Sequence, residues 1–209
     1  MTGPRRWWDE RIVPRLVDRS LDDGFAGPWR ESVCAGATGT VIELGFGSGR
    51  TLPYYSATVT EVLAVDPSDL SWEMARERVE ESPLTVTRLG PDGAHLARAD
   101  ASVDTVVSTW ALCTIPDLDG TLSEVARVLR PGGFLRFVEH TLAPHRGMAL
   151  TQRAIQPAWG LIAGGCHVDR DILGRMRDAG LHVSTVHEGY LDAITSPASW
   201  FVMGSATPT

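Results

Sequence analysis

The densest chemistry in this 209-residue chain lies between positions 43 and 68. Glu43-Leu44-Gly45-Phe46-Gly47-Ser48-Gly49 sets three glycines at alternate positions behind a short apolar run, Thr40 to Leu44. Glycine there lets the backbone turn sharply and lets a ligand approach with no Cβ in the way. The segment from Arg50 to Tyr55 is expected to start a helix, with Pro53 shaping its first turn and free N–H groups facing the ligand. A second apolar run, Glu61 to Val65, ends in Asp66-Pro67-Ser68. Adjacent parallel strands end side by side at a switch point, so the Asp66 carboxylate can accept hydrogen bonds from both hydroxyls of a ribose. The alternative for Asp66 is a helix cap. A dinucleotide fingerprint, G-x-G-x-x-G, needs glycine at position 50, where Arg50 stands. The observed spacing, with an acid before it, suits a ligand without a pyrophosphate. Glu43, at the last turn of its strand, can act on the loop backbone or on a cationic amino-acid group.

The elements that must position these residues alternate. Further strands are predicted at Thr85–Leu89, Val103–Thr109 and Phe134–Glu139. Helices are predicted from a cap at Ser68 or Asp69 to about Glu81, over Leu118–Leu129, and over Asp169–Asp178 before Gly180. This pattern predicts an α/β fold with a mostly parallel sheet covered on both faces. The last two strands, His182–Glu188 and Ser199–Gly204, are joined by a short loop and read as an antiparallel hairpin. Residues 4–36, with Trp7, Trp8 and Trp29, read as helical or irregular structure. A division follows into a helical cap or lid, 1–36, and a main domain, 37–209.

Composition narrows the function. Hydrophobic residues make up 43% of the chain, enough for a packed core. A net charge of −7 argues against general nucleic-acid affinity and a polybasic membrane anchor. Every basic residue among the 19 is arginine, which excludes Schiff-base lysine chemistry and a P-loop lysine. Cys34, Cys113 and Cys166 are far apart and form no C-x-x-C pair, so no metal site or disulfide framework is expected, and a reducing cytoplasm fits best. No stretch approaches the ~20 apolar residues of a spanning helix, and Met1 to Asp18 carries charges where a signal peptide would be apolar.

Glu43 to Gly49, Asp66, Asp92-Gly93-Ala94 with Ser102-Val103-Asp104, and Val128 to Gly133 together resemble the motif series of class I S-adenosylmethionine-dependent methyltransferases. The resemblance implies a Rossmann-like, seven-stranded sheet with a reversed terminal hairpin. It implies that Glu43, Gly45, Phe46, Gly47 and Gly49 hold the methionine part of the cofactor. Asp66, with Pro67 and Ser68, would bind the ribose, Asp92 and Gly93 the adenine, and Ser108, Thr109 and Trp110 the region near the sulfonium. The chain departs from the family pattern at Ala94, usually acidic, and Val103, usually aromatic.

Ser108 to Cys113, Phe137-Val138-Glu139-His140, Gln156-Pro157-Ala158-Trp159 and Gly165-Cys166 resemble the methyltransferase-like thiol S-methyltransferases. This resemblance implies a small thiol acceptor. A thiol with an ordinary pKa of ~8.5 needs only a mild base or a positive field to ionise. His140 is the expected base or thiolate stabiliser, with capping of its strand as the alternative. Glu139 should point to the other side of the strand. Trp8, Cys113, Trp159 and Cys166 are expected to line the acceptor pocket, and Asp169 to cap the following helix. Alternative acceptors are an aromatic, quinone-like or natural-product group or a phospholipid amine; a regulatory protein that binds the cofactor without turnover is the non-enzyme alternative. A monomer or homodimer is expected.

Overall fold

Strands whose successive residues are all apolar must be covered on both faces. The computed structural model describes residues 4–191 and 195–209, and its strands are arranged in that way. Three helices, α1 (Pro4–Arg11), α2 (Val13–Ser20) and α3 (Asp23–Cys34), precede β1 (Gly39–Leu44) and β2 (Val59–Val65). Then follow α4 (Asp69–Glu81), β3 (Thr85–Gly90), β4 (Val103–Thr109), α5 (Leu118–Val128) and β5 (Leu129–His140). The chain continues through α6 (Arg146–Ile162), α7 (Ile172–Asp178), β6 (Leu181–Tyr190) and β7 (Trp200–Pro208). The seven strands form one sheet in the order β3-β2-β1-β4-β5-β7-β6, with β7 antiparallel to both of its neighbours.

Alternate residues of each strand feed opposite cores. Ile42, Leu44, Leu63, Val65, Val106, Leu135 and Phe137 meet Leu122, Val125 and Val128 of α5 and Ile172 and Met176 of α7. Val41, Val62, Ala64, Val107, Val138 and Phe201 face the other way, against Ala26 and Val33 of α3 and Ala75 of α4. A third, smaller cluster gathers Cys113, Cys166 and Val168 beneath Ile155 and Trp159 of α6.

Three local expectations change and one element is added. The helix expected from Arg50 is a single 3-10 turn, Leu52–Tyr54, because Tyr55 turns extended (ψ 136°) and sends its hydroxyl to Glu43. Asp171 caps α7 by accepting from the Gly174 N–H, so Asp169 does not take that role. Helix α5 stops at Val128, since Leu129 is already extended and paired with Val103. Helix α6 was not foreseen; Pro157 lies inside it.

Candidate active site

β1 and β2 end in register, Leu44 beside Val65, and the glycine loop leaves from this edge. The Gly45 and Phe46 N–H groups donate to the Val65 carbonyl at 2.9 and 3.2 Å. Asp66 Oδ2 accepts from the Gly47 N–H at 2.8 Å, and Oδ1 accepts from the Ser68 N–H at 2.8 Å. Burial pushes the Asp66 carboxyl upward, and these two donors oppose it. Each oxygen keeps a further lone pair for a ligand. Gly45 approaches the β4 side so closely that a Cβ would lie 2.4 Å from Ala111 Cβ. At Gly47 (φ +57°) a Cβ would meet only the Gly45 carbonyl, at 3.8 Å, so open space lies before the loop.

Glu43 lies under this loop with no solvent exposure. Tyr55 Oη donates to its Oε2 at 2.9 Å, while its Oε1 is buried without a hydrogen-bond partner. Burial pushes the carboxyl up to about 7, against stabilisation by Thr51, Tyr55 and the Arg30 charge. An unpartnered buried carboxylate oxygen is costly, and a cation beside it removes the cost. From above, Asp18 of α2 accepts from the Ser48 hydroxyl (2.5 Å) and from Arg50 Nε (2.6 Å) and Nη2 (3.0 Å). The short amino-terminal helix is thereby tied to the loop that follows β1.

A second constellation sits at the ends of β4 and β5. Trp110 takes a left-handed backbone (φ 55°), a strained state for a bulky residue, and its N–H donates to the Val138 carbonyl at 2.8 Å. The turn after it wraps around the Glu139 carboxylate. Oε1 accepts from Ser108 Oγ (2.6 Å) and the Ala111 and Leu112 N–H groups (both 3.0 Å), and Oε2 from the Cys113 N–H (3.1 Å). Burial raises the Glu139 pKa, and these four donors offset part of that rise. On the neighbouring position of β5, His140 Nδ1 lies 3.8 Å from Cys113 Sγ and 3.6 Å from Cys166 Sγ, and the sulfurs are 3.6 Å apart. Cys113 holds the Cys166 thiol below its usual range, while that same contact and burial push Cys113 well up. Burial alone would lower the His140 pKa, but Cys113, Glu139 and the Ala198 backbone outweigh it and raise it.

Two loops carry the sulfurs; His167 and Arg170 join them, and Gln156 ties the second to α6. The His167 N–H donates to the Cys113 carbonyl at 2.8 Å. Arg170 Nη1 donates to the carbonyls of Leu112 (2.9 Å) and Ile115 (2.8 Å). Gln156 of α6 donates to the Cys166 carbonyl at 3.0 Å and accepts from the Val168 N–H at 3.0 Å.

The methyltransferase domain family matches residues 42–137, from the middle of β1 into β5. Thiol S-methyltransferase TMT1B of Homo sapiens is 33% identical over 81% of this chain and 69% of its own length. The TMT1B of Rattus norvegicus is 37% identical over 63% of this chain, which spans 55% of that relative. The chain belongs to the class I S-adenosylmethionine-dependent methyltransferases. A phosphatidylethanolamine N-methyltransferase of Cereibacter sphaeroides is 36% identical over 56% of this methyltransferase and 58% of its own length. The fold matches the methyltransferase solved with the Haloferax volcanii Trm112 activator at a TM-score of 0.70, with 19% identity and 100% of both chains covered.

S-adenosylmethionine is the cofactor of this methyltransferase, and the residues present fit it. The orphaned Glu43 Oε1 suits the cofactor's ammonium, the space before Gly47 admits its backbone-hugging part, and Asp66 retains acceptor capacity for ribose hydroxyls.

The expected site residues separate into three groups. Glu43, Gly45, Gly47, Gly49, Asp66 and Ser68 gather at the β1–β2 edge, where Ser68 caps α4 by accepting from the Ser71 N–H and Pro67 is exposed. Phe46 buries its ring against Trp72, so only its backbone faces the loop. Asp92 is exposed and bonded to Ala94 and His95, and Gly93 is buried where a Cβ would lie 2.9 Å from Thr121 of α5. Ser108 donates its hydroxyl to Glu139, with Thr109 beside it at the end of β4. Cys113, Cys166, His140 and Trp159 come together, and Trp8 is not among the residues packed there. Trp29 stacks edge-on against Phe201 at 4.5 Å and packs near His187, both on the hairpin, and Trp7 is exposed. Asp18, Thr51, Tyr55, Gln156 and Arg170 were missed as site residues. Gln156 lies in a quoted motif; the others carry no local signal.

Proposed function

We propose that this methyltransferase transfers the cofactor's methyl group to the sulfur of a small thiol. The bound cofactor supplies an activated methyl on a sulfonium. Glu43 neutralises the ammonium of its amino-acid end, Gly45, Gly47 and Gly49 bring bare backbone against it, and Asp66 accepts from its ribose. Asp92 is assigned to the adenine side. Helices α1 and α2 act as a strap over the loop through Asp18. Displacement at a methyl group needs alignment and exclusion of water more than covalent help.

One observation carries the choice of acceptor: at the ends of β4 and β5 the Glu139 carboxylate is committed to four donors, leaving His140 among sulfur and apolar groups. An imidazole is a sufficient base for a thiol and a weak one for a ring carbon. Its two sulfur neighbours support the same reading. The relatives named thiol S-methyltransferases support this reading, and the three free cysteines agree with a reducing compartment.

Labelled cofactor offered with a panel of thiols, phenols and amines tests it. Methylated thiols are expected; transfer to phenols or amines with none to any thiol refutes it. His140→Ala should slow thiol transfer about a hundredfold and leave cofactor affinity unchanged by calorimetry.

A further inference from the structure

Three soft or borderline donor atoms, Cys113 Sγ, His140 Nδ1 and Cys166 Sγ, all lie within 4.8 Å of one another. Their separations have the dimensions of a coordination sphere. A tetrahedral ion with metal–sulfur bonds of ~2.3 Å and a metal–nitrogen bond of ~2.0–2.1 Å holds its sulfurs ~3.8 Å apart and each sulfur ~3.6 Å from the nitrogen. The observed values are 3.6 Å between sulfurs and 3.6 and 3.8 Å from sulfur to nitrogen. Three protein ligands with a free fourth position is the arrangement of a catalytic zinc site, and two sulfurs with one imidazole favour zinc over magnesium or calcium.

The surroundings support the same reading. The Ala198 backbone faces the His140 ring, the kind of second contact that helps fix a metal-bound imidazole. Glu139 fixes the Cys113 amide, and Gln156 fixes the loop of Cys166. Two thiolates cancel the charge of a divalent cation, so the filled site is neutral and suits its burial. Arg170, half-buried and tied to the Leu112 and Ile115 carbonyls, is placed to offset one further negative ligand. A surface groove of about 440 Å³, lined in part by Gln156, Gly165 and His167, reaches the residues on either side of Cys166.

We propose that Cys113, His140 and Cys166 bind one zinc ion and that its fourth position receives the acceptor thiol as a thiolate. The first part stands on this geometry alone; the second rests on the thiol reading above. In the binding step an incoming R–SH replaces a metal-bound hydroxide. The thiol proton leaves with that hydroxide as water, the sulfur remains on the metal as thiolate, and no electron is transferred. The ion thus does for acceptor ionisation what His140 does alone in its absence.

The test uses the full chain loaded with zinc or with cobalt(II) as a spectroscopic substitute. One ion per chain is expected after gel filtration, with a thiolate-to-cobalt absorption band and a visible band of tetrahedral cobalt that shifts when an alkyl thiol is added. Cys113→Ser and Cys166→Ser should each weaken binding at least ~10-fold, whereas Cys34→Ser, in α3, should bind as the parent does. Zinc loading should also raise the melting temperature of the parent and of Cys34→Ser. Failure to retain an ion, cobalt bound without the thiolate band, or a Cys113–Cys166 disulfide in its place overturns the site. Ion bound with the sulfur band but no thiol methylated leaves the site standing and refutes the thiol reading. Thiols methylated at full rate by chelator-stripped protein keep that reading and remove the metal from acceptor binding.

Discussion

Glu43 on β1 and Glu139 on β5 are the same residue type, both without solvent exposure, yet they are treated oppositely. Glu139 has four hydrogen-bond donors, three of them backbone amides of one turn. Glu43 has a phenol on one oxygen and the Thr51 side chain near its carboxylate, with no well-formed hydrogen bond to Oε1. A satisfied buried carboxylate is a post around which the chain folds. An unsatisfied one is a receptor whose missing partner comes from outside. The comparison marks Glu139 as a structural acid and leaves Glu43 as the acid proposed to meet a ligand.

The largest effect should come from disturbing the post. Glu139→Gln turns an acceptor into a donor against the Cys113 N–H and should cost about 3 kcal/mol of stability, read from the urea midpoint; an unchanged midpoint would break the comparison. Next, Asp66→Ala removes acceptors of the ribose and should weaken S-adenosylhomocysteine binding by about 3 kcal/mol, roughly a hundredfold, measured by calorimetry. Unchanged affinity would remove Asp66 from the ligand side.

Glu43→Gln sharpens the contrast, since it should act in opposite directions on binding and on folding. Cofactor affinity should fall about tenfold, or ~1.4 kcal/mol. The folded-state pKa of Glu43 is about 7 against an ordinary 4.5, so its contribution to stability is fully present below 4.5 and is lost as pH rises through 7. The ligand-free parent should lose more melting temperature across that window than the variant, in which Asp66 and Glu139 still titrate, and the variant should be the more stable at pH 8. A variant less stable at pH 8 would make Glu43 a second post.

The smallest effect belongs to Asp18→Asn. Arg50, as a hydrogen-bonded partner, holds the Asp18 carboxyl below its ordinary range. Its stabilising contribution is therefore present above that range and lost as pH falls through the lowered value. With part of the side chain in solvent the pair is worth under ~1 kcal/mol, seen as at most a fivefold faster cofactor release in stopped flow. An unchanged release rate would separate the strap from the ligand.

The sheet was legible because its strands are runs of apolar residues bounded by polar turns; Val103–Thr109 has the same limits in sequence and structure. The glycine loop and Asp66 were legible because a bare turn and a neighbouring acid are local patterns. The sulfur–imidazole cluster was legible only as separate residues. Cys113 and Cys166 are 53 positions apart, and their approach depends on Arg170, Gln156 and a helix that carries an internal proline. The roles of Glu43 and Glu139 depend on how many donors the folded chain delivers, which neither residue's neighbours in sequence disclose.

The reversed strand has a consequence for the order in which the molecule is made. β7 is synthesised after β6 but lies between β6 and β5, so the ladder from β5 outward cannot close until the later segment has threaded into place. The edge formed by β1 and β2, where the cofactor is proposed to sit, is complete long before that. His140 pairs with Phe201 and the Thr141 N–H with the Trp200 carbonyl, so the imidazole's end of β5 settles only with this insertion. A growing chain can therefore complete the β1–β2 edge before the imidazole's end of β5, and such long-range pairing is expected to place the slow phase of refolding at that end.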